Sequence, residues 1–317
     1  MSRPDVEVVI PTWNGRDLVA RCLETLAAQT VQNRPIVVDN GSEDGTAELV
    51  AERFPAALVV RFEENLGFAR AVNAGIRAGS AEYVVLVNND VECDPDFVER
   101  LVAPLRADPR VGMASGLLIV PGRESVDSYG VELDRTLAAF ARFEGARYPD
   151  APLDDRHLVG PCGGAAAYRR VALDGVGGFA EALFAYMEDV DLALRLRAAG
   201  WLGAGAPDAV AVHLGSATFG NRSRWQVETA AASRGYMLRK YGVLRSGVGT
   251  ALWALAIELA GALLDAVRTR SLGALTSYRR GWRAADGERA HAPADAINEE
   301  IGLVGAIRRR LPALRSG

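Results

Sequence analysis

Short β-branched runs alternate with helix-length stretches through the first 120 residues, and no other feature of the chain narrows its fold as far. The runs cover residues 6–10, 35–38, 58–62 and 83–87. Residues 17–28, 46–54, 67–78 and 96–107 carry the apolar spacing of helices. Strands separated by helices of about ten residues mean βαβ units and a mostly parallel sheet. Ligands of such sheets bind outside the carboxyl ends of the strands, so the residues after each run are the ones to read for chemistry.

Four consecutive strand ends carry polar or glycine-rich loops: Pro11-Thr12-Trp13-Asn14-Gly15, Asp39-Asn40-Gly41-Ser42-Glu43-Asp44-Gly45-Thr46, Glu63-Glu64-Asn65-Leu66-Gly67 and Asn88-Asn89-Asp90. Singly, these are ordinary turn and N-cap residues. Four on one sheet edge point to a ligand. Asp39 sits where an acid can accept hydrogen bonds from a nucleobase or a ribose, whereas Asp44 and Thr46 suit the cap of the next helix. Asp90 follows a buried run, where one hard carboxylate can hold Mg²⁺ or Mn²⁺ shared with substrate phosphates. Gly67, Arg70 and Asn73 recur at i, i+3 and i+6, and a cation and an amide near a helix N-terminus suit a diphosphate.

Further along, residues 111–120 read as a strand, 126–143 as a hairpin or excursion, and 147–156 as a Pro/Asp-rich loop. A second glycine-rich stretch spans 160–168. Glu188-Asp189-Val190-Asp191 opens a helix expected over 189–199 and stopped by Gly200. Acids at a helix start complement its dipole, which accounts for Asp191. Glu188 and Asp189 follow Phe179, Phe184 and Tyr186, and a carboxylate there can act as a general base towards a hydroxyl. His213 ends the apolar run 209–212. A lone histidine is more often structural than a ligand, but this one can complete a metal shell.

Charge divides the 317 residues unevenly. Residues 1–220 hold 20 Arg and 32 acids, whereas residues 221–317 hold 15 Arg and one Lys against 8 acids. An acidic body argues against nucleic-acid binding, which needs a cationic face, and fits a cation site. Three scattered cysteines and the lack of an apolar h-region before the first strand predict a cytoplasmic protein. Residues 247–267 are strongly apolar, yet the uncharged stretch before Glu258 is about a dozen residues, short of the roughly 18–20 of a span. Glu258 and Asp265 share a narrow polar stripe, with Leu252, Leu255, Leu259 and Leu263 on the other face. Five arginines lie between positions 268 and 283 with no acid. That pattern reads as a helix on an anionic membrane surface, or as one packed on the main domain or on a second subunit of a homodimer.

The motifs Val-Val-Ile-Pro-Thr-Trp-Asn14, Asp39-Asn-Gly-Ser-Glu-Asp44, Asn65-Leu-Gly-Phe-Ala-Arg-Ala-Val-Asn73, Asn88-Asn-Asp90 and Glu188-Asp-Val-Asp-Leu-Ala-Leu-Arg195 occur in an order that resembles the family 2 inverting glycosyltransferases. The resemblance covers about residues 5–240. Asn-Asn-Asp, with Asn-Leu-Gly-Phe upstream and Glu-Asp-Val-Asp-Leu downstream, looks most like the bacterial rhamnosyltransferase branch. It implies an α/β GT-A nucleotide-sugar-binding fold over residues 1–240, with a mostly parallel central sheet flanked by helices, and a basic helical extension over 241–317. By the same resemblance Thr12, Asn14 and Asp39 would contact base and ribose, with Pro11, Asn40, Ser42, Asn88 and Asn89 completing the nucleotide-sugar site. Arg70 and Asn73 would lie near the ribose or diphosphate. Asp90 would hold the divalent cation, Mg²⁺ or Mn²⁺, with His213 as second ligand. Asp189 would be the catalytic base with Glu188 beside it, and Gly163, Gly164 and Ala165 would line the acceptor or sugar pocket. Asn88 stands where a D-x-D motif has its first acid, which predicts weaker metal binding.

The implied reaction is metal-dependent transfer, with inversion, from a dTDP- or UDP-sugar. The expected sugar is L-rhamnose from dTDP-rhamnose, and the acceptor a polyprenyl-diphosphate-linked glycan of cell-envelope polysaccharide synthesis. The enzyme would work peripherally on the inner face of the cell membrane. An NAD-dependent oxidoreductase is set aside because no G-x-G-x-x-G follows the first strand. A sugar nucleotidyltransferase would carry Arg and Lys in a glycine-rich first loop, and the only lysine is Lys240. A non-catalytic nucleotide-sugar-binding module would keep Asp39 and Asp90 without needing Asp189.

Overall fold

The computed structural model describes residues 4–215 and 223–310. The expected alternation is present as β1 (Val6–Thr12), α1 (Arg16–Ala27), β2 (Arg34–Asn40), α2 (Thr46–Arg53), β3 (Leu58–Phe62), α3 (Phe68–Ala78), β4 (Tyr83–Val87), a short β5 (Val91–Cys93), α4 (Phe97–Ala107) and β6 (Val111–Ile119). β1 and β2 run further than their apolar residues suggest, because polar residues at a strand's end still pair. Thr12 and Asp39 are therefore register partners in the parallel pairing of β1 with β2.

Strands β3, β2, β1 and β4 lie side by side and parallel. Beyond β4 the sheet is mixed rather than mostly parallel. After β6 the chain makes an excursion through β7 (Val126–Ser128), β8 (Val131–Leu133) and β9 (Ala139–Ala141), and re-enters from the carboxyl edge as β10 (Ala165–Arg169). That direction of entry sets β10 antiparallel to both β4 and β6. After α5 (Arg170–Val176) and α6 (Glu188–Ala198), β11 (Leu202–His213) runs parallel to β6, so His213 finishes at the same edge as the first strands. The order is β3-β2-β1-β4-β10-β6-β11-β5, with β7 paired to β6.

Both faces of the sheet are covered, which is why the strands read as near-continuous apolar runs. Val6, Val8 and Ile10 pack with Leu23 and Leu26 of α1 and Phe97 and Leu101 of α4. Val9, Val38 and Leu86 face Val72 and Ile76 of α3 and Leu192 and Leu196 of α6.

The rest of the described chain carries the helices α7 (Arg224–Lys240), α8 (Val248–Thr269), α9 (Gly273–Ala284) and α10 (Leu303–Arg310), the last two joined by a largely irregular stretch. A reciprocal capping box between Ser223 and Gln226 starts α7. α9 lies against α7 at Gly235 and Gly281, where an added Cβ would run into backbone carbonyls of Tyr278 and Ala232. α8 is turned the opposite way from an ordinary surface helix. Its Glu258 pairs inward with the buried Arg234 at 2.8 Å and accepts the Tyr278 hydroxyl, while Leu252, Leu255, Leu259 and Leu263 are more than half exposed. Over Val248–Val267 the helix has a mean hydropathy of 1.6, so length and composition alone would let it cross a membrane. The inward ion pair instead ties one side of it to protein.

Candidate active site

The carboxyl edge of the sheet carries a cavity of about 530 Å³. Pro11 and Thr12 of β1, Asn40 of β2, and Asn88, Asn89 and Asp90 after β4 reach it from one side. Gly163 and Gly164, Glu188 and Asp189 of α6, and His213 of β11 reach it from the other. Two features far apart in sequence thus open onto one space: Asp90, and the Glu188–Asp189 pair.

Asp90 is buried, and its Oδ1 has no hydrogen-bond partner; the same holds for Asn88 Oδ1. Asp90 Oδ2 lies 3.4 Å from His213 Nε2, and His213 Nδ1 lies 2.9 Å from Asp127 Oδ2. Burial alone would depress the imidazole. The hydrogen bonds its ring donates to Asp127 and Asp90 outweigh it and push His213 up to about 10. Among the described residues, no three His, Cys, Asp or Glu side chains gather into a ready metal site. The cavity does offer two unpartnered buried oxygens of the hard type that Mg²⁺ or Mn²⁺ takes, with space beside them for substrate oxygens to complete the shell.

Asp189 is half-buried at the start of α6. Its Oδ2 accepts the Gly163 amide at 3.2 Å and its Oδ1 the Val190 amide at 2.7 Å. Burial raises its pKa, and those amide bonds partly offset the rise. Burial and the adjacent Asp189 charge push Glu188 up to about 8, and Glu188 Oε2 has no hydrogen-bond partner. Burial and mutual repulsion therefore oppose ionisation of both carboxyls together. Tyr186 and Met187, immediately upstream, both adopt φ = 67°. Two consecutive non-glycine residues in the left-handed region store backbone strain, which tends to gather at functional sites.

The residues expected on the nucleotide side fall into two groups. Asn89 Nδ2 donates to Thr12 Oγ1 at 2.9 Å, and both line the cavity. Asn14, Asp39 and Ser42 do not line it but lace the first two loops together. Asn14 N donates to Ser42 Oγ, Glu43 N to Asn14 Oδ1, and Ser42 N to Asp39 Oδ1. Asp39 is completely buried, and its Oδ2 has only Arg61 Nε at 3.7 Å. Asn40 reaches the cavity while bracing the next loop, donating to Asn65 Oδ1 and Gly67 O and accepting Leu66 N.

Arg70 and Asn73 point away from the cavity. Asn73 exchanges two 2.9 Å hydrogen bonds with the Phe179 backbone and donates to Glu181, and Arg70 lies 3.5 Å from Glu181. These two residues anchor the segment that leads into Tyr186–Asp189. Gly67 permits the approach. At φ = 92° it leaves room where a Cβ would strike the Phe184 carbonyl at 2.7 Å, and Phe68 N donates to that oxygen at 2.6 Å. Ala165 belongs to the core rather than the pocket; it is wholly buried among the residues beneath the sheet.

Sequence reading noted Phe184 and Tyr186 as the aromatic run before Glu188 but missed Asp127, which fixes His213, and Trp225, which joins those two at the cavity's rim. Phe184 and Trp225 stack edge to face with centroids 5.8 Å apart. Asp127 lies in the excursion, where no strand-end position marked it, and Trp225 begins a helix whose pattern has no clear apolar face.

Comparison with known proteins agrees with this geometry. The Glycosyl transferase family 2 pattern matches residues 7–177. An N-acetylglucosaminyl-diphospho-decaprenol L-rhamnosyltransferase of Mycobacterium tuberculosis is 31% identical over 231 residues, spanning 65% of this chain and 75% of the relative. An N-acetylglucosaminyltransferase of Bradyrhizobium diazoefficiens is 30% identical over 228 residues, 66% of this chain and 44% of the relative. A mannosyltransferase from Pyrobaculum calidifontis, solved with GDP-Man and Mn²⁺, superposes with a TM-score of 0.56 over 90% of this chain and 87% of that one, at 23% identity. Fold, strand-end motifs and these matches lead to one assignment: the chain belongs to the family 2 glycosyltransferases, with a GT-A fold.

Proposed function

We propose that this glycosyltransferase moves L-rhamnose from dTDP-rhamnose, with inversion, to a hydroxyl of a polyprenyl-diphosphate-linked sugar in cell-envelope polysaccharide synthesis. The observation that carries the reading is the convergence of Asp90 and the Glu188–Asp189 pair on one cavity at the carboxyl edge of the sheet. The choice of sugar and of lipid-linked acceptor is supported by the mycobacterial relative, whose name states both.

In this reading the nucleotide lies along Pro11, Thr12, Asn40 and Asn89, and the diphosphate faces Asn88 and Asp90. Asp90 would hold a divalent cation, with His213 joining once it gives up its Nε2 proton, and the cation when bound would neutralise charge on the departing diphosphate. Asp189 accepts the proton of the acceptor hydroxyl as that oxygen bonds to the anomeric carbon. The bond from that carbon to the phosphate oxygen breaks, and the nucleoside diphosphate leaves with the electron pair. Attack from the opposite face inverts the centre. Glu188, held protonated, keeps the pair at a single charge and leaves Asp189 as its basic member. Phe184 and Trp225 at the rim offer flat apolar faces against which sugar rings pack.

The test is transfer of labelled sugar from dTDP-, UDP- and GDP-sugars to a lipid-linked diphospho-sugar with Mn²⁺ present. The expected result is label in the lipid phase from dTDP-rhamnose above the others, with inverted configuration. Preference for another donor would refute the sugar, retention would refute the role of Asp189, and transfer to water-soluble acceptors alone would refute the lipid-linked acceptor.

A further inference from the structure

A second cavity, of about 670 Å³, lies between α7, α8, α10 and the turn before β9. It adjoins the catalytic cavity, for Tyr186, Met187 and Gln226 line both. Its walls are aliphatic, among them Val227, Ile257, Leu264, Leu303 and Ile307. Arg234 and Glu258 at its floor are engaged with one another. Arg234 donates to Glu258 at 2.8 Å and to the carbonyls of Thr136 and Leu137 at 2.7 and 2.8 Å, and the Tyr278 hydroxyl donates to Glu258. Asp265 adds one further polar group to the lining, and the rest of the groove is mainly apolar surface.

The groove's outer wall is α8, and the far side of α8 is the exposed leucine face. Every exposed residue described between positions 248 and 267 is uncharged. Past the turn, the exposed face of α9 begins with Leu272 and Leu275 and continues with Arg279, Arg280 and Arg283. An apolar strip bordered by cations matches acyl chains beneath anionic headgroups. A contiguous leucine face of this kind is unfavourable in water and marks a contact surface.

We propose that the groove holds the isoprene units of a lipid-linked acceptor beyond the first two, leading the chain from the mouth of the catalytic cavity to the leucine face of α8, which lies on the bilayer. The inference rests on the lipid-linked acceptor reading above and adds the path of the chain. Its volume falls within the roughly 300–1,000 Å³ of ligand pockets, enough for a segment of a polyprenyl chain with the remainder in lipid.

Gly261 supplies the test, because a Cβ there meets no atom within 4 Å and a larger side chain can fill the groove without displacing the helix. Binding of a fluorescent long-chain polyprenyl diphosphate and of geranyl diphosphate, each in detergent micelles, is compared for the full chain, Gly261→Phe and Ala260→Trp. We expect the wild type to prefer the long chain, and both variants to weaken it by about tenfold, the factor that about two displaced methylenes represent. Geranyl diphosphate binding and melting temperature stay unchanged. Equal affinity of wild type for the two chains, or equal loss of both in the variants, overturns the proposal. A wild-type dimer in lipid-free solution that Gly261→Phe dissociates would assign the groove to a second copy and overturn it as well. The binding measurement is independent of transfer. Selective long-chain binding without rhamnose transfer would sink the proposed reaction and leave the groove, whereas transfer without chain selectivity would sink the groove alone.

Discussion

Glu188→Gln tests the electrostatics of the carboxylate pair where they are most exposed to refutation. Glu188 is buried with one oxygen unpartnered, and its pKa stands at about 8 against an ordinary 4.5. Folding therefore favours its protonated form. The stability this group contributes is complete below about pH 4.5 and is lost progressively as pH rises to about 8, where the native protein must ionise it in place. At 1.36 kcal/mol per pKa unit, the difference between 4.5 and 8 amounts to about 5 kcal/mol. That is a ceiling, because opening of the segment to water relieves part of it. Glutamine keeps the shape of the protonated acid and cannot ionise. Its second amide hydrogen adds a desolvation penalty of about 1–3 kcal/mol, but that penalty is the same at every pH. The informative quantity is thus the change in the mutant-minus-wild-type difference between pH 5 and pH 9. We expect it to move in favour of Glu188→Gln by about 2–5 kcal/mol, which at about 2 °C per kcal/mol is about 4 °C or more in melting temperature. Thermal unfolding followed by circular dichroism across that range measures it directly. A difference constant to within about 1 kcal/mol, or one that moves in favour of the wild type as pH rises, would refute the argument that burial and Asp189 hold the Glu188 proton.

Three further outcomes are expected. Asp189→Asn keeps the hydrogen bonds accepted from Gly163 or Val190 largely possible but removes the proposed base, so turnover should fall by at least about 10²-fold while sugar-nucleotide binding by calorimetry survives; near-normal turnover would remove Asp189 from the role. Chelation by EDTA should lower transfer, and Mn²⁺ or Mg²⁺ should restore it; full activity in chelator would mean that Asp90 and His213 act without a metal. Asn73→Ala leaves the buried Phe179 amide without its acceptor and should cost about 1–3 kcal/mol, seen as a lower melting temperature together with a raised donor KM; a normal KM would show that the Phe179–Tyr186 segment keeps its place without this clamp.

The strand ends were legible because a parallel sheet with helices on both faces gives little freedom in where its loops go. Pro11, Thr12, Asn40, Asn89 and Asp90 come from three strand ends within the first 90 residues, and all reach the same cavity. Which of the neighbouring side chains enter it was not legible. Asp39 and Asn40 are adjacent in β2 and point to opposite sides of the sheet edge, so one line of residues faces the cavity and the other is buried. Arg70 and Asn73 lie on one face of α3 as their spacing requires, but that face meets the Phe179 backbone and the Glu181 carboxylate, partners more than 100 residues away. Spacing along a helix fixes which side chains travel together and is silent on what the shared face meets. The mixed character of the sheet beyond β4 follows from the excursion between β6 and β10, whose short strands of three residues are too brief for periodicity to reveal.

The same limit explains α8 and shows why its orientation carries functional weight. The period of its polar stripe was plain, and a polar stripe on a surface helix ordinarily faces water. Here a buried arginine on α7 decides otherwise. Arg234 cannot be left unpaired in the interior without a penalty of about 3–5 kcal/mol, and Glu258 is the carboxylate that meets it. Docking the stripe inward turns the leucines outward. The protein thereby accepts an exposed apolar face as the consequence of satisfying one buried charge, unless something apolar covers that face. A helix oriented by an ion pair rather than by its leucines makes sense where the leucines have a partner outside the chain. Replacing Arg234 and Glu258 together by methionine and leucine separates the two forces. If the ion pair sets the orientation, the double variant should lose protection of the α8 backbone against hydrogen exchange and gain protection at the leucines' side chains from oxidative labelling, as the helix rolls inward. A variant whose leucines stay as exposed as before would show that packing of α8 against α7 and α10 fixes the orientation without the charge pair.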